Sequence, residues 1–323
     1  MSRRNWPERS LIVGLFGLVL CLAGCDAPHA QVEYDLAIIG GRVIDPETGL
    51  DAVRNVGLND ATIVEVTTKQ IAGRREIDAT GHIVAPGFVD LHSHAVSTLF
   101  GSRMQALDGV TTQLELENGV LPVSDWYDTL ADEGRPANFG TTASWTFARI
   151  NVLEGIPLEA SIKYFFRAQR LSRWKSEAST DEQRAQIIEL LSDGLDDGAL
   201  GIGVPAGYAP GYEVHELLDV HRLAASREGS LVVYHMREMG RGPAQSAMGA
   251  LMEVIGLTQV AGNRTHICHL NSTSTYDLDE TRRAYGEARE RGVKITSEVY
   301  PYGAGSTVIG AAFLRTNVFP QQL

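Results

Sequence analysis

Two histidines separated by one serine are the strongest chemical signal in the sequence. His92 and His94 follow the segment GFVDL at positions 87–91. Side chains two residues apart in an extended strand point to the same side, so both imidazoles can reach one metal ion, and Asp90 shares their face. Histidine nitrogen is a preferred ligand of zinc. The pair predicts a zinc-like site at the end of an apolar strand, with two surface histidines at a strand edge as the alternative.

Two later apolar segments also end in histidine. His235 follows the run LVVY, and His269 follows the run THIC. A single histidine of this kind is more often structural, but four histidines at the ends of three predicted strands indicate a metal-binding group. His266 and Cys268 are out of phase with His269 in the strand alternation. We therefore expect His266 to be structural or to support a ligand, and Cys268 to belong to the core.

Strands and helices alternate in the predicted structure after residue 86, which is typical of parallel strands joined by helical crossovers. The predicted strands lie near 88–92, 110–117, 138–144, 199–204, 231–236, 264–269 and 294–300. The clearest amphipathic helices are predicted at 181–196, 213–228, 244–260 and 278–291. A parallel barrel of this type closes with eight strands, so we expect the eighth beyond Leu323.

Short β runs separated by turns, such as DPETG at 45–49, predict a small β domain before the barrel. The predicted organisation has four parts: a lipoprotein signal peptide at 1–24, a tether at 25–33, the small β domain at 34–86 and an incomplete barrel at 87–323.

The first residues are typical of an export signal. Arg3, Arg4 and Arg9 precede an apolar run at 11–22 that is short for a membrane span. The run ends in LAGC, which resembles the bacterial lipoprotein signal, in which cleavage precedes the cysteine and the thiol is lipidated. Cys25 is therefore the predicted lipidation site, and we expect a lipid-anchored protein on the periplasmic or extracytoplasmic face of a bacterial cell envelope. An uncleaved anchor or an ordinary secretory signal is the alternative.

Composition excludes some classes of partner. The formal net charge of -12 makes nucleic acid an unsuitable partner, because its phosphate backbone would be repelled. Two of the three cysteines lie in or at the end of the predicted leader, so no disulfide framework is expected in the mature chain. The sequence does not indicate an oligomeric state.

These motifs resemble the amidohydrolase superfamily, and the later ones resemble its N-acyl-D-amino-acid deacylase (D-aminoacylase) branch. The resemblance is carried by six segments: YDLAIIGGRVID at 34–45, APGFVDLHSH at 85–94, GVTT at 109–112, GALGIG at 198–203, HMR at 235–237 and VYPYGAGS at 299–306. It implies an α/β fold, a (β/α)8 TIM barrel with a small N-terminal β-sandwich domain. It also implies one or two zinc ions, with His92 and His94 at one position and His235 and His269 at the second.

The sequence departs from the family pattern at the bridge between the two metal positions. Many relatives use a carboxylated lysine there, and the deacylases place a cysteine at the end of the second strand, but the segment GVTTQLELENG at 109–119 has neither. Glu115 and Glu117 alternate onto one face, and Glu117 lies nearer the strand end. Glu117 is the candidate metal-bridging carboxylate. Glu115 and Asn118 are the alternatives, since a shift of one residue in the alignment changes the choice.

The resemblance implies metal-assisted hydrolysis of a linear amide, with an acylated D-amino acid as the small-molecule substrate. Arg237 could pair with the substrate carboxylate or form a structural salt bridge. Tyr300 and Tyr302 are candidate substrate contacts. The catalytic acid and base of the family is an aspartate on the eighth strand, expected beyond Leu323, and Glu298 is a substitute or, as we expect, a supporting residue.

Two other functions remain open. A cyclic-amide hydrolase or an unusual dipeptidase of the same superfamily is the nearest alternative, and the missing bridging lysine disfavours it. A non-catalytic metal-binding lipoprotein is the alternative from another class. The sequence does not decide which acyl amino acid is bound, or whether one or two metal ions are held.

Overall fold

The structure, a computed structural model, describes residues 33–237, 246–308 and 311–312. The predicted signal peptide, the predicted lipidation site Cys25 and the predicted tether up to residue 32 lie outside the described residues. In the parts that are described, none of the helices has the length and apolar character needed to cross a bilayer. The described chain forms two compact units, which divide between Pro86 and Gly87.

The first unit is a five-stranded sheet. Its strands are β1 (Glu33–Asp45), β2 (Leu50–Asn59), β3 (Thr62–Thr67), β4 (Ala72–Asp78) and β5 (Ile83–Val84). Their order is β3-β2-β1-β4, with β5 also on β1. The pairs β1–β2 and β2–β3 are antiparallel, whereas β4 and β5 run parallel to β1. Tyr34, Ala37 and Ile71 form a small core with Ile39. The sequence does not predict β4, because its residues AGRREID are mostly polar and exposed.

The second unit contains seven parallel strands whose order in the sheet follows the sequence. They are β6 (Phe88–Asp90), β7 (Val110–Val120), β8 (Asn138–Ser144), β9 (Gly201–Pro205), β10 (Leu231–His235), β11 (Arg264–Ile267) and β12 (Ile295–Ser297). All seven predicted strands are present, with shifted ends. The predicted α/β fold class, with the strand arrangement of a (β/α)8 barrel, is confirmed. The eighth strand stays a prediction.

Helices of the second unit lie between these strands. They are α1 (Leu99–Leu107), α2 (Val123–Glu133), α3 (Trp145–Glu154), α4 (Ile162–Ala168), α5 (Arg173–Ser176), α6 (Asp181–Asp196), α7 (Val214–Ala225), α8 (Ala247–Ala261), α9 (Leu270–Ser274) and α10 (Leu278–Glu290). Short 3-10 turns occur at His94–Ser97, Ala206–Tyr208 and Thr275–Asp277. Thr180 caps α6 by accepting from the Gln183 N–H, and the Gln183 side chain accepts from the Thr180 N–H. Both contacts satisfy N–H groups that a helix leaves unpaired.

The largest apolar core packs helices against the sheet. It includes Trp145 of α3, Ile187 of α6, Ile202 of β9, Leu217 of α7 and Leu251 of α8, all fully buried. Burial of a large apolar side chain contributes about 1.5–3 kcal/mol. A second, smaller cluster consists of Leu116, Val233 and Cys268, one residue from each of three strand regions. The helices therefore hold the sheet from one side while the small cluster fills part of its other face.

A buried ion pair ties α3 to α7. Arg149 Nη1 lies 2.6 Å from Glu216 Oε2, and both side chains are almost completely buried. Trp145 Nε1 donates to Glu216 Oε1 at 2.7 Å. A buried charge is stable only when it is paired and hydrogen-bonded, so each partner depends on the other.

Strand β7 carries a wide bulge next to β8. The register passes from the pair Glu115–Thr141 to the pair Val120–Ala143, so five steps along β7 match two along β8. Gly119 has φ +64°, and a Cβ there would lie 2.6 Å from the carbonyl oxygen of Thr142. Glycine is the residue that tolerates this backbone conformation and this close approach. The bulge contains Glu117 and so determines where its carboxylate lies.

Candidate metal centre

The Glu117 carboxylate lies among four histidines. Its Oε1 atom accepts from His235 Nδ1 at 2.8 Å and from His269 Nε2 at 2.9 Å. Its Oε2 atom lies 3.1 Å from both His92 Nε2 and His94 Nε2. Each carboxylate oxygen therefore serves one pair of histidines, and the structure brings all five residues of the predicted metal site together.

These side chains come from the carboxyl ends of parallel strands, where the active sites of parallel barrels form. His92 follows β6 and pairs with Glu115 in an isolated bridge, and His94 begins a 3-10 turn. His235 is the last residue of β10. His269 follows β11 with φ 33°, a left-handed backbone conformation that costs free energy in a residue with a side chain. The strained turn directs its ring toward Glu117.

The two alternatives to Glu117 make different contacts. Glu115 Oε2 accepts from His94 Nδ1 at 2.8 Å, so it contacts the ring nitrogen that faces away from Glu117. Asn118 Nδ2 donates to the carbonyl of Gly119 at 3.1 Å, and its backbone N–H donates to Glu115 Oε1 at 3.3 Å. Among the three, Glu117 contacts all four histidines, whereas Glu115 fixes the orientation of one of them.

Glu298 supports the centre through a hydrogen bond with His92. It lies one residue beyond β12, and its Oε1 accepts a hydrogen bond from His92 Nδ1. Its Oε2 accepts from His266 Nε2 at 3.4 Å, and His266 Nδ1 lies 2.8 Å from Thr296 Oγ1. Burial raises the pKa of Glu298, but the hydrogen bonds from His266 and His92 outweigh it and lower the pKa to about 2. His266 therefore has the supporting position that its strand phase predicts.

Charge and burial oppose each other at Glu117. Burial raises the pKa of this carboxyl group, but the charge of His92 and the hydrogen bonds from His235 and His269 hold it well below the usual range. Glu115 raises the pKa of His94 to about 10. Burial lowers the pKa of His235. The Glu117 carboxylate is thus ionised, and protons on His92 and His94, the two histidines whose pKa is raised, balance its charge.

Donor atoms in two groups of three are close enough to hold a cation. In each group the donor atoms lie within 4.8 Å of one another. One group is Glu117, His235 and His269, and the other is His92, Glu117 and Cys268. His269 Nδ1 is buried with no hydrogen-bond partner among the described residues. Nitrogen, carboxylate oxygen and thiolate sulfur are the ligands that zinc prefers, so the residues fit a zinc ion.

A cavity of about 790 Å³ opens above the centre. Its walls include the histidines, Glu117 and Glu298, together with Tyr208, Ser272, Thr273, Tyr300, Tyr302 and Thr307. The predicted substrate contacts Tyr300 and Tyr302 therefore line the same space as the histidines. Their ring centroids lie 6.4 Å apart. The cavity is large enough for a small organic substrate.

Tyr208 is a cavity residue that the sequence analysis does not single out. Its ring centroid lies 5.0 Å from that of His235, and its hydroxyl lies 2.9 Å from Thr307 Oγ1. Burial raises the pKa of Tyr208 to about 12. A Cβ on the preceding Gly207 would lie 2.8 Å from His235 Cδ2. Gly207 therefore leaves room for the His235 ring, which is a role that its place in a glycine-containing loop does not reveal.

Arg237 lies beside the cavity and not in its wall. Its Nη2 is 3.1 Å from Glu253 Oε2, and its guanidinium carbon lies 3.6 Å from the centre of the Tyr212 ring. Nη1 donates to the carbonyl of Pro210 at 3.4 Å. These contacts correspond to the structural salt bridge that the sequence leaves open as the alternative to substrate binding.

Comparisons with known proteins agree with this arrangement. Residues 75–155 match the model of the Amidohydrolase family. The chain is 29% identical to an N-acyl-D-glutamate deacylase of Alcaligenes xylosoxydans xylosoxydans, over 86% of this chain and 59% of the relative. It is 28% identical to a dihydroorotase of Anaeromyxobacter sp. (strain K), over 83% of this chain and 60% of the relative.

One solved structure with the same fold is the N-acyl-D-glutamate deacylase of Bordetella bronchiseptica, complexed with zinc and a phosphonate inhibitor. The TM-score is 0.68 at 22% identity, and the match covers 84% of this chain and 59% of that one. The chain thus spans about three fifths of the length of these relatives. The parallel strands, the histidines at their ends and these relatives confirm the resemblance to the amidohydrolase superfamily.

Proposed function

We propose that the protein is a zinc-dependent hydrolase that cleaves the linear amide bond of N-acyl-D-amino acids. The products are a carboxylate and a free D-amino acid. The observation that carries the proposal is the position of Glu117, whose two carboxylate oxygens each contact a different pair of histidines. Relatives named for deacylation of acyl-D-amino acids support the choice of substrate.

Zinc would be held by His92, His94, Glu117, His235 and His269, as one ion or two. When bound there, it supplies Lewis acidity, which polarises an amide carbonyl and acidifies water. Glu117 contributes the negative charge that a divalent cation needs in a buried site, and on metal binding the histidines give up the protons that balance this charge.

Other residues of the chain hold the site in position. Glu115 fixes His94 through its Nδ1 atom, and Glu298 fixes His92 in the same way. Carboxylates behind metal-binding histidines set the ring orientation and increase the basicity of the ligand nitrogen. Because Glu298 already contacts two histidines, we assign it a positioning role. The proton shuttle to the leaving amine is assigned to the aspartate predicted beyond Leu323.

The cavity supplies the substrate contacts in this proposal. Tyr300 and Tyr302 present aromatic faces and hydroxyls beside the histidines, which suits an acyl chain with a polar end. The Tyr208 ring packs against the His235 ring, with their centroids 5.0 Å apart. Its hydroxyl is protonated at neutral pH and can donate to an oxygen of the substrate, and burial raises its pKa further, to about 12.

A cyclic-amide hydrolase is the second candidate. It is favoured by the dihydroorotases among the relatives, of which three from Anaeromyxobacter strains are 28% identical to this chain. Both candidates use water to break a carbon–nitrogen bond, so they differ in the shape of the substrate and not in the metal centre.

Amine release from a substrate panel tests the proposal. The full-length protein is freed of metal with a chelator, reloaded with zinc and incubated with N-acyl-D-amino acids, their L enantiomers and dihydroorotate. Zinc per chain is measured on the same samples. Glu117→Gln is the variant that removes the central charge, and Glu290→Gln, on the exposed face of α10, is the matched control.

We expect free amine from at least one D substrate, only with zinc, and none from Glu117→Gln. Ring opening of dihydroorotate without amine release would favour the second candidate. Zinc bound in stoichiometric amount without turnover of any substrate would favour the non-catalytic lipoprotein.

We also propose that the protein is held at the membrane of a bacterial envelope by lipid on Cys25. The support is the sequence of residues 1–25 alone. The mass of the protein extracted from membranes should equal that of a chain starting at Cys25 plus lipid, and Cys25→Ser should release the protein or leave its leader uncleaved. A lipid-free chain that has lost its leader would contradict this proposal.

A further inference from the structure

Cys268 lies closer to the metal centre than its position in the sequence suggests. It follows β11, is fully buried, and packs with Leu116 and Val233 in the small cluster, as a core residue should. Its sulfur also lies within 4.8 Å of donor atoms of His92 and Glu117. The strand alternation places Cys268 in the core. It does not show that this part of the core lies next to the metal-binding histidines.

The position at His92 and Glu117 has an exposed donor on one side, His94, and this buried thiol on the other. The other position has a complete group of three, because Glu117 Oε1 contacts both His235 and His269. At His92 the remaining nitrogen donor is His94, whose side chain is 51% exposed. Cys268 is completely buried, so it provides a donor on the protected side of the same two ligands.

We propose that Cys268 is a metal ligand, binding as a thiolate to the ion at the position formed by His92 and Glu117. The inference rests on the proposed metal centre but goes beyond it, since it adds a sulfur ligand that the histidine pattern does not predict. Binding replaces the S–H bond by a metal–sulfur bond, and the thiol proton passes to solvent. The soft sulfur donor would favour zinc over magnesium or calcium at this position.

X-ray absorption at the zinc edge tests the proposal without relying on activity. Zinc–sulfur bonds are about 2.3 Å long and zinc–nitrogen bonds about 2.0–2.1 Å, so one sulfur neighbour is distinguishable from a set of histidines and carboxylates. The sample is the full-length protein loaded with zinc, with zinc per chain measured by mass spectrometry. The variants are Cys268→Ser and, as the control, a chain with both Cys21 and Cys25 replaced by serine.

We expect a sulfur shell in the wild-type protein and in the control, and its loss in Cys268→Ser. The average should be one sulfur per zinc if one ion is bound, and half a sulfur per zinc if two are bound. If Cys268→Ser does not fold, Cys268→Ala is used in its place, and the control spectrum excludes Cys21 and Cys25 as the source of the sulfur, since Cys268 is the one cysteine of residues 1–323 that the control retains.

The possible failures are distinguishable. Zinc bound in stoichiometric amount with only nitrogen and oxygen neighbours would overturn the role of Cys268 and leave the proposed metal centre intact. Absence of bound zinc in folded wild-type protein would overturn both. A sulfur shell that persists in Cys268→Ser would assign the sulfur to another residue and also overturn the inference.

Discussion

Glu298 accepts a hydrogen bond from Nδ1 of His92, a residue 206 positions earlier in the chain. His92 follows the first strand of the parallel sheet and Glu298 follows the seventh, which are the two outermost strands in the sheet order. A flat sheet would hold these residues far apart. The contact therefore requires a strongly curved sheet, and it joins the two ends of the strand order at the metal centre.

This contact predicts a specific effect of Glu298→Gln. The amide keeps the size of the side chain but loses the charge that increases the basicity of His92. We expect zinc affinity to fall by about 10–100-fold, as for other carboxylates behind metal-binding histidines. Competition with a chromophoric chelator measures the change, and Glu290→Gln is the control. Unchanged zinc affinity in Glu298→Gln would show that the contact does not support the ligand.

Two glycine-to-alanine substitutions should differ in effect: one should weaken zinc binding, and the other should stabilise the fold. A Cβ at Gly207 would lie 2.8 Å from His235 Cδ2, so Gly207→Ala should displace the ring and weaken zinc binding. Gly256 is exposed within α8, and a Cβ there meets nothing within 4 Å. Gly256→Ala should therefore stabilise the protein by about 0.5–1 kcal/mol, with no effect on zinc. Urea unfolding and zinc titration of both variants check the pair, and normal zinc affinity in Gly207→Ala would refute the packing argument.

A buried histidine that does not line the cavity predicts a pH dependence of stability. His221 Nδ1 donates to Asn263 Oδ1 at 2.9 Å, and its Nε2 accepts from the Tyr234 hydroxyl at 2.8 Å. Burial lowers the pKa of His221 from 6.5 to about 4, so between these values the unfolded chain binds a proton that the folded chain does not. The contribution of His221 to the free energy of unfolding is fully present above pH 6.5 and is lost as the pH falls toward 4. Between pH 7 and 5 this group should cost about 2 kcal/mol.

The contribution of His221 is measured as a difference. Urea unfolding of the wild-type protein and His221→Gln at pH 7 and pH 5 separates it from carboxylates that titrate in the same range. The variant should lose less stability than the wild type on acidification. Equal losses in the two proteins would mean that His221 is protonated in the folded state.

The ion pair between α3 and α7 predicts a large loss of stability on Glu216→Gln. This change leaves the Arg149 charge buried without its counter-charge, which typically costs about 3–5 kcal/mol. Arg173→Gln breaks an exposed pair with Glu177 and should cost less than about 1 kcal/mol. The two unfolding midpoints in urea provide the comparison. A small effect of Glu216→Gln would indicate that water reaches Arg149 in the folded protein.

Strand positions in the second unit could be predicted because apolar runs recur at its parallel strands. Helix α6 was also predictable, since its cap residue Thr180 and its apolar spacing agree on the same bounds. Strand β4 escaped prediction because its partner β1, and not its own polar residues, keeps it extended.

The histidines of the centre could be predicted from their place after apolar strands. The alternation also selects Glu117 but leaves Glu115 and Asn118 open, because the bulge in β7 breaks the two-residue alternation on which the prediction rests. Cys268 shows the same limit. Its phase in β11 predicts a core position. The left-handed turn at His269 changes the direction of the chain directly after Cys268, so that both side chains lie near Glu117.

Because of the bulge, the metal-binding side chain at position 117 lies outside the regular pairing of β7 with β8. The extra residues of β7 lie between the backbone pairs Glu115–Thr141 and Val120–Ala143. Neither pair includes residue 117, so we expect both to persist when its side chain is changed. Position 117 can therefore be changed on its own, with Leu116 kept for the core and Gly119 kept for its backbone. A designer could graft a lysine, a cysteine or a second carboxylate at this point and retune the affinity for different metals without rebuilding the barrel.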